Sequence, residues 1–475
     1  MKLTFLWTDI MVWLLVFSLI AWGWVVLRSP QVRKQWQLIF QSAIAISCAI
    51  VLLTYLFFAL LDSVHMRFAV EPDKTAQAST QTPPNETQYQ GEMVSLLDLL
   101  FSHRIKQTER TYSAPFATHE HGKSIVVDDQ SGLSKQEYLP LKYATTDLKN
   151  GKSHSFDIFQ KSFAALLIGL MISILIIASH IKWRSHLQHR CFNTQLQHIW
   201  QGKTLLPWRT AYSTLLVIIV IFTWLYYLSY SYHVLGTDKV GGDVLYHSLK
   251  SIRTGVLIGI LTTLVMLPVA IMLGISAGLF GGWIDDIIQY LYTTLNSIPG
   301  VLLIAAAVLV MQVTMDNNPQ WFETTQERSD LRLVFLIMIL GITSWTGLCR
   351  LLRAETLKIS QVEFVTAAKA FGVSKFAIIR RHIMPNLMHI ILISVVLDFS
   401  GLVLAEAVLS YVGVGVDPTT HSWGNMINQA RLEMAREPMV WWSLFSAFIF
   451  MFVLVLAANL FSDRIQTVLD PRNNT

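Results

Sequence analysis

Four groups of residues in this chain have types and spacings that could do chemistry. Asp398 and Glu406 lie in an otherwise apolar run over residues 387–412. A charge inside a bilayer costs at least ~2.5–3.5 kcal/mol on insertion scales unless it is paired or wet. Both acids must therefore face protein or water, either as part of a pathway or proton relay or as structural hydrogen-bond acceptors. The stretch 353–386, R-A-E-T-L-K-I-S-Q-V-E-F-V-T-A-A-K-A-F-G-V-S-K-F-A-I-I-R-R-H-I-M-P-N, is polar and basic between two long apolar runs. In residues 233–245, H-V-L-G-T-D-K-V-G-G-D-V-L, Gly236, Gly241 and Gly242 permit tight turns, while Thr237, Asp238 and Asp243 offer capping oxygens. His119 and His121, in T-H-E-H-G, could ligate a metal, but the polar loop around them reads as exposed chain and no metal or cofactor is expected. The sequence has no G-x-x-x-x-G-K-[ST] run, so no phosphate-binding loop of that type.

The elements that must position these groups are membrane spans. With 475 residues, 53% hydrophobic and 14% charged, the composition excludes a soluble globular protein and predicts an all-α polytopic membrane protein. About nine stretches approach the ~20 apolar residues that a span needs: 7–27, 38–61, 158–180, 211–232, 250–279, 287–312, 333–352, 387–412 and 441–461. The first is followed by Arg28, Arg33 and Lys34 with no small-residue cleavage site, and is read as a retained span. The formal charge of +5 is concentrated in short loops, which argues for orientation and against nucleic-acid binding. Loops 28–37 and 181–210 are basic without an acid, and 353–386 is basic overall. All three share one side if the spans alternate. That side is the cytoplasm, so the N-terminus is expected outside and the C-terminus inside. Loop 280–286 dissents, with Asp285 and Asp286 and no base. Cys48, Cys191 and Cys349 are scattered and form neither a disulfide framework nor a zinc pattern.

Within 353–386, the spacing of Leu357, Val362, Phe364, Val365, Ala368 and Phe371 predicts a short amphipathic helix from Glu355 to Phe371, with Gly372 as its stop. A second helix, Phe376 to Ile383, ends near Pro385, and both should lie along the cytoplasmic surface. Ala367, Ala368, Gly372, Ile383 and Pro385 resemble the E-A-A signature of ABC-importer permeases, which forms the coupling helices that dock on an ATPase. Thr366 stands where that signature has Glu, and Glu363 lies one turn earlier on a similar face. Leu235, Gly236, Thr237, Asp238, Gly241 and Asp243 resemble the L-G-T-D-x-x-G-R-D segment of dipeptide, oligopeptide and nickel permeases, with Gly242 replacing the Arg. Phe399 to Gly415, Asp417, Pro418, Ser422, Trp423 and Gly424, and the D-P-R at Asp470 to Arg472, are similar to the same family.

The resemblance covers residues 211–475 and implies a six-span ABC importer permease core, here preceded by about three extra spans and a small periplasmic insertion. The expected organisation is a transmembrane hairpin over 1–61, a partly disordered insertion over 62–157, a third span with its basic loop over 158–210, and the permease domain over 211–475. Within the insertion, Glu71 to Glu92 reads as linker, Met93 to Phe101 as an interfacial helix, and Ser124 to Tyr143 as two short strands around a turn. In the core, Gly255 with Gly259 and Gly274 with Gly278 predict close helix packing, while Pro268 and Pro299 predict kinks or breaks. The family implies a non-enzymatic permease subunit of the bacterial inner membrane, surrounded by lipid. Its implied partners are a second permease, two ATP-binding subunits that hold the ATP, and a periplasmic solute-binding protein. Peptides are the expected cargo, with nickel or a peptide-like compound behind them. The rival is a proton-coupled secondary transporter using Asp398 and Glu406.

The topology is open to test by cysteine accessibility. A cysteine at Ser79 should react with an impermeant reagent in intact cells and one at Thr194 should not; the reverse pattern would exclude an outside N-terminus.

Overall fold

The computed structural model describes every residue except 1, 5, 29, 69–92, 128–133, 144–152, 190, 323 and 470–475. The linker expected at Glu71 to Glu92 and the D-P-R at Asp470 to Arg472 thus lie outside the described residues. The chain opens with strand β1 (Lys2–Thr4) and helices α1 (Trp7–Arg28), α2 (Pro30–Phe40) and α3 (Ala43–Asp62). Strands β2 (His65–Arg67) and β3 (Val94–Ser95) follow, then α4 (Leu96–Leu100), α5 (Ser102–Ile105), β4 (Ser124–Val127) and β5 (Ser134–Glu137). Next come α6 (His154–Leu187), α7 (Phe192–Trp200), α8 (Trp208–Leu228), α9 (Val244–Phe280), α10 (Gly282–Ser297) and α11 (Gly300–Asn317). Helix α12 (Thr325–Ser360) leads to α13 (Glu363–Ala370) and α14 (Lys375–Ile378), which passes through a π turn into α15 (Met384–Val412). Helices α16 (Trp423–Glu433) and α17 (Trp442–Leu469) close the chain.

Eight helices among the described residues are long and apolar enough to cross a membrane: α3, α6, α8, α9, α11, α12, α15 and α17 with the turns continuous with them. Trp7–Ala21 of α1 is a shorter apolar helix at the place of the first expected span. The sixth expected span, 287–312, is broken. Ile298 is extended, and Pro299, which has no N–H to donate, ends one helix so that Gly300 starts the next. Pro268, by contrast, sits inside α9 without ending it.

Helix α9 is the centre of the bundle, packing along α12 and α15 and touching α3, α10 and α17. Its glycines make this possible. A Cβ on Gly274 would stand 2.8 Å from the Cys349 carbonyl of α12, and one on Gly278 would stand 2.6 Å from Thr356 Cβ; the same atom on Gly259 would stand 2.6 Å from the Phe399 ring of α15. Helix α12 reciprocates, since a Cβ on Gly341 would meet Val265 at 2.5 Å. The expected small-residue faces are therefore real contact surfaces. The inner half of this packing is a core of Ile275, Ile288, Leu352, Ile359, Val365 and Ile383, among others.

The N-terminal hairpin and the insertion are not separate units. β1 pairs antiparallel with β2, and β2 with β3, so the chain's first residues share a sheet with both ends of the segment that includes 69–92. The interfacial helix expected over Met93 to Phe101 is the single turn α4, closed by a capping box between Ser95 and Asp98. Its Leu97 and Phe101 are buried in a core with Val244, Leu249 and Trp442 rather than lying on a membrane surface. The two strands expected between Ser124 and Tyr143 exist, but the second is Ser134–Glu137, ahead of the Y-L-P-L-K-Y run.

The glycine contacts set a stability test. Gly274→Ala should lower stability by ~1–3 kcal/mol through overpacking against a backbone carbonyl. Gly347→Ala, on the open face of α12 where nothing lies within 4 Å, should be neutral or slightly stabilising. Thermal unfolding of the detergent-purified variants compares them, and equal shifts would mean that the α9–α12 contact is loose.

Candidate functional site

The first candidate is the segment after α12, at one end of the bundle. Expected to begin a new helix at Glu355, the chain instead continues α12 to Ser360 and turns at Gln361 and Val362. The free helix is the shorter α13, Glu363–Ala370. Only one of its residues, Val365, is fully buried, and that side chain locks α13 into the inner core. Glu363, Thr366 and Ala367 are exposed and Ala368 is half-buried. Thr366 turns its hydroxyl back to the Glu363 carbonyl at 2.9 Å, which leaves the Glu363 carboxylate on the open face of the first turn. Gly372 has φ +76, the left-handed conformation that ends the helix at little cost for glycine. The second helix is not free-standing, because α14 runs through the π turn Ile379–Ile383 straight into α15, with Ile383 buried and Pro385 in the first turn of α15. Phe371 is 88% and Phe376 74% exposed, so the segment presents two aromatic side chains outward. One of the two dissenting acids at 280–286 finds its reason here: Asp285 of α10 accepts from Arg353 Nη2 at 2.7 Å, and this pairing holds its carboxyl below the usual range.

At the other end of the bundle, the glycine-rich motif before α9 is a socket for the insertion. Gly236 and Gly241 have φ of +72 and +78. A Cβ on Gly241 would fall 1.8 Å from the Glu109 carbonyl oxygen, and the Glu109 N–H donates to Gly241 O at 3.0 Å. Thr237 donates its hydroxyl to Thr111 O at 2.9 Å, and its backbone N–H donates to Ser113 O at 3.1 Å. Asp238 accepts from the backbone of Val240 and Gly242, while Asp243 caps α9 through Tyr246 N at 3.1 Å. Leu235 packs against the outer core. Buried between the two segments, His233 has Nδ1 2.8 Å from Asp243 and Nε2 3.8 Å from Glu109. Burial pushes the His233 pKa down, but the two carboxylates outweigh it and hold it above the usual value; for Glu109 and Asp243, burial pushes up and His233 outweighs it, holding both low.

The two intramembrane acids part company. Glu406 is 1% exposed and accepts from Ser410 Oγ at 2.7 Å, beside the backbone of Gly424. This is the hydrogen-bonded arrangement that the sequence left open beside a pathway role. Asp398 is half-buried on α15. His119 and His121 belong to no group of three or more metal-ligating residues among the described ones; His121 stacks edge-on against Trp442.

Sequence reasoning missed a network centred on Arg253, at the end of the bundle opposite α13. Its Nη2 donates to Asp9 Oδ1 and to Thr8 Oγ1, both at 2.7 Å, and lies 3.9 Å from Asp330. Thr8 bonds Asp330 through N–H and hydroxyl, and His65 Nδ1 lies 2.8 Å from Asp9. One turn back along α9, Lys250 donates to Asp98 at 2.6 Å, as does Tyr246 through its hydroxyl at 2.7 Å. The available signal was a set of opposite charges at the outer edges of spans, Asp9, Asp62, Lys250, Arg253 and Asp330, each unremarkable alone.

Comparison with known proteins bears on this arrangement. The family described as the binding-protein-dependent transport system inner membrane component matches residues 270–475. The dipeptide transport system permease protein of Bacillus subtilis is 30% identical over 240 residues, 50% of this chain and 69% of that protein. The oligopeptide transport system permease protein of Mycobacterium tuberculosis is 30% identical over 243 residues, 51% and 77% of the two chains. The glutathione transport system permease protein of Pectobacterium atrosepticum is 31% identical over 242 residues, 51% and 73%.

The His233 clamp carries a pH signature. Since its folded pKa is raised, the histidine's contribution is complete below its unfolded value of about 6.5 and is lost as pH rises through the folded one. The depressed carboxylates contribute above their unfolded values and fail as pH falls through their folded ones. Protection of residues 93–143 from added protease should therefore peak in mildly acidic buffer. His233→Ala, which leaves two buried carboxylates facing each other, should weaken docking by roughly 3–5 kcal/mol and abolish the alkaline loss. Cleavage that is equally fast in both proteins at every pH would remove the clamp.

Proposed function

Because the chain belongs to the binding-protein-dependent transport system inner membrane component family, we propose that it is the permease subunit of an ATP-driven importer of dipeptides or oligopeptides. The substrate class is supported by the names of its relatives, which are permeases for dipeptides, oligopeptides and glutathione. The observation that carries the mechanism is the exposure of α13 on a rigid support. Helix α12 has 36 residues, a rod of about 54 Å at 1.5 Å per residue. It runs without a break from Asp330 at the outer network to the turn that presents α13. A partner ATPase gripping Glu363, Ala367, Ala368 and the exposed Phe371 would move α13, and Val365 would pass that motion into the inner core shared by α9, α12 and α15.

In this reading a second permease completes the pathway, with Asp398 turned toward it, two ATP-binding subunits dock from the cytoplasm, and a solute-binding protein delivers cargo outside. The chain sits in the bacterial inner membrane with its N-terminus outside. ATP is held by the partners, and this chain makes and breaks no covalent bond. A proton-coupled transporter is disfavoured by the structural engagement of Glu406, which leaves Asp398 without a second acid for a relay.

Coupling is tested by binding of the partner ATPase to membranes carrying single variants, with dipeptide uptake as the second readout. Ala368→Trp should uncouple severely, because a bulky ring cannot enter a close helix–groove contact. Glu363→Gln should lose a charge-assisted contact of ~1.5–3 kcal/mol, roughly ten- to hundred-fold in affinity. Thr366→Glu should be tolerated or tighten binding. Unimpaired binding and uptake in Ala368→Trp would rule out this segment as the docking surface.

A further inference from the structure

Between the N-terminal sheet and the outer ends of α9 and α12 lies an open cavity of about 310 Å³, at the small end of ligand-binding pockets. Its rim is neutral and polar, with Gln326, Ser329, Thr419 and Thr420; Gln326 and Thr419 are exposed and Ser329 is half-buried. Its floor is charged and shared between Asp62, Lys250 and Arg253. Part of this wall, Leu6, Asp62, His65 and Met93, comes from the N-terminal residues outside the stretch that matches the family.

The floor is short of positive charge. Four buried carboxylates, Asp9, Asp62, Asp98 and Asp330, cluster about two permanent cations, Lys250 and Arg253. His65 Nδ1 lies 2.8 Å from Asp9, so that carboxylate has a ring partner of its own besides Arg253. His421 supplies no positive charge: burial, followed by the nearby His247 and Lys250, drives its pKa well below the usual value and keeps the ring neutral. Arg253 is committed to Asp9 and Thr8, and Lys250 to Asp98 and Tyr246. Asp62 is different. It is 2% exposed and lines the cavity, its Oδ1 accepts from Ser95 Oγ at 2.7 Å, and its other oxygen receives no hydrogen bond from the described residues. A buried carboxyl with an open oxygen facing a cavity, among four carboxyls that share two permanent cations, is costly to ionise until a further cation joins it.

We propose that this cavity is an outer binding site for a primary ammonium group, which donates to Asp62 while the neutral rim accommodates the rest of a small polar molecule. The rim hydroxyls and the Gln326 amide match the peptide unit, which offers both donors and acceptors. The importer reading makes the ammonium that of a peptide N-terminus, and to that extent the assignment rests on it. The site stands at the outer end of α12, the same helix that carries α13 inside. A bound peptide would therefore touch the rod through which ATPase motion is transmitted.

The test uses the full chain in lipid nanodiscs, with equilibrium binding of radiolabelled alanyl-alanine and of its N-acetylated form. The dipeptide should bind, and acetylation, which removes the charge, should weaken binding by at least about tenfold, the loss expected for one charge-assisted hydrogen bond. Asp62→Asn should weaken dipeptide binding by a similar factor. Ser329→Trp, which fills the rim without altering any charge, should do the same in a chain whose thermal unfolding matches the wild type. Equal binding of the two peptides, wild-type affinity in both variants, or absence of dipeptide binding by the folded chain would overturn the site. Uptake by the assembled transporter separates this from the broader reading. Import of a non-peptide compound, with ammonium-dependent binding intact, would discard the peptide importer and keep the site; peptide import undiminished in both variants, with no binding, would discard the site and keep the importer.

Discussion

A guanidinium largely buried inside a helix bundle is costly unless it is paired, and the arrangement of the N-terminal half follows from that constraint. Arg253 sits on α9, the helix around which the bundle is built, and its partners arrive from three directions: Asp9 and Thr8 from α1, Asp330 from α12, and Ser63 from the end of α3. Truncating one member of such a buried group costs far more than the pair contributes, because the remaining charge is stranded. The extra N-terminal helices are thus fastened where desolvation makes the attachment most specific. The short sheet formed by β1, β2 and β3 holds the same elements in register beside it.

The attachment of the insertion follows a similar logic with different chemistry. Two glycines of the outer motif, Gly236 and Gly241, leave no room for a side chain, and the backbone of Ser113 and Glu109 occupies that space. His233 then supplies a charge that Glu109 and Asp243 both need. The motif before α9 serves here as an assembly joint. Its Asp243 also caps α9, so the docking of the insertion and the start of the central helix depend on one side chain.

How much of this was legible in the sequence depended on the range of the signal. Span positions follow from runs of apolar residues, which are local, and they agree well; the exception is 287–312, where one apolar run hides a break at Pro299. The small faces at Gly274 and Gly278 were readable because a four-residue spacing is meaningful on a helix whatever its partner. The stop at Gly372 was readable for the same local reason. Helix α13 began eight residues later than expected, because periodicity alone does not mark where a 36-residue span ends and the turn at Gln361 carries no proline or glycine. The Arg253 network was invisible, since Asp9 is 244 positions from Arg253, Asp330 comes from a different span, and their pairing is a property of the folded bundle.

The two ends of the molecule are mechanically one object. The contact of α9 with α12 is made through glycines at three levels, Gly341 near the middle of α12 and Gly274 and Gly278 toward its inner end. Close backbone approach leaves little slack, and well-packed interfaces shift between discrete arrangements more readily than they deform. A displacement imposed on α13 therefore has two outlets: α12 moves together with α9 as a unit, or the glycine contacts break. The first keeps the Arg253 partners together and carries the outer cavity along intact. The second would pull Asp330 of α12 away from Arg253 and from the Thr8 N–H and hydroxyl that donate to it, leaving buried polar groups unpaired. The geometry favours motion of α9 and α12 as a pair, with the yielding interfaces elsewhere in the bundle.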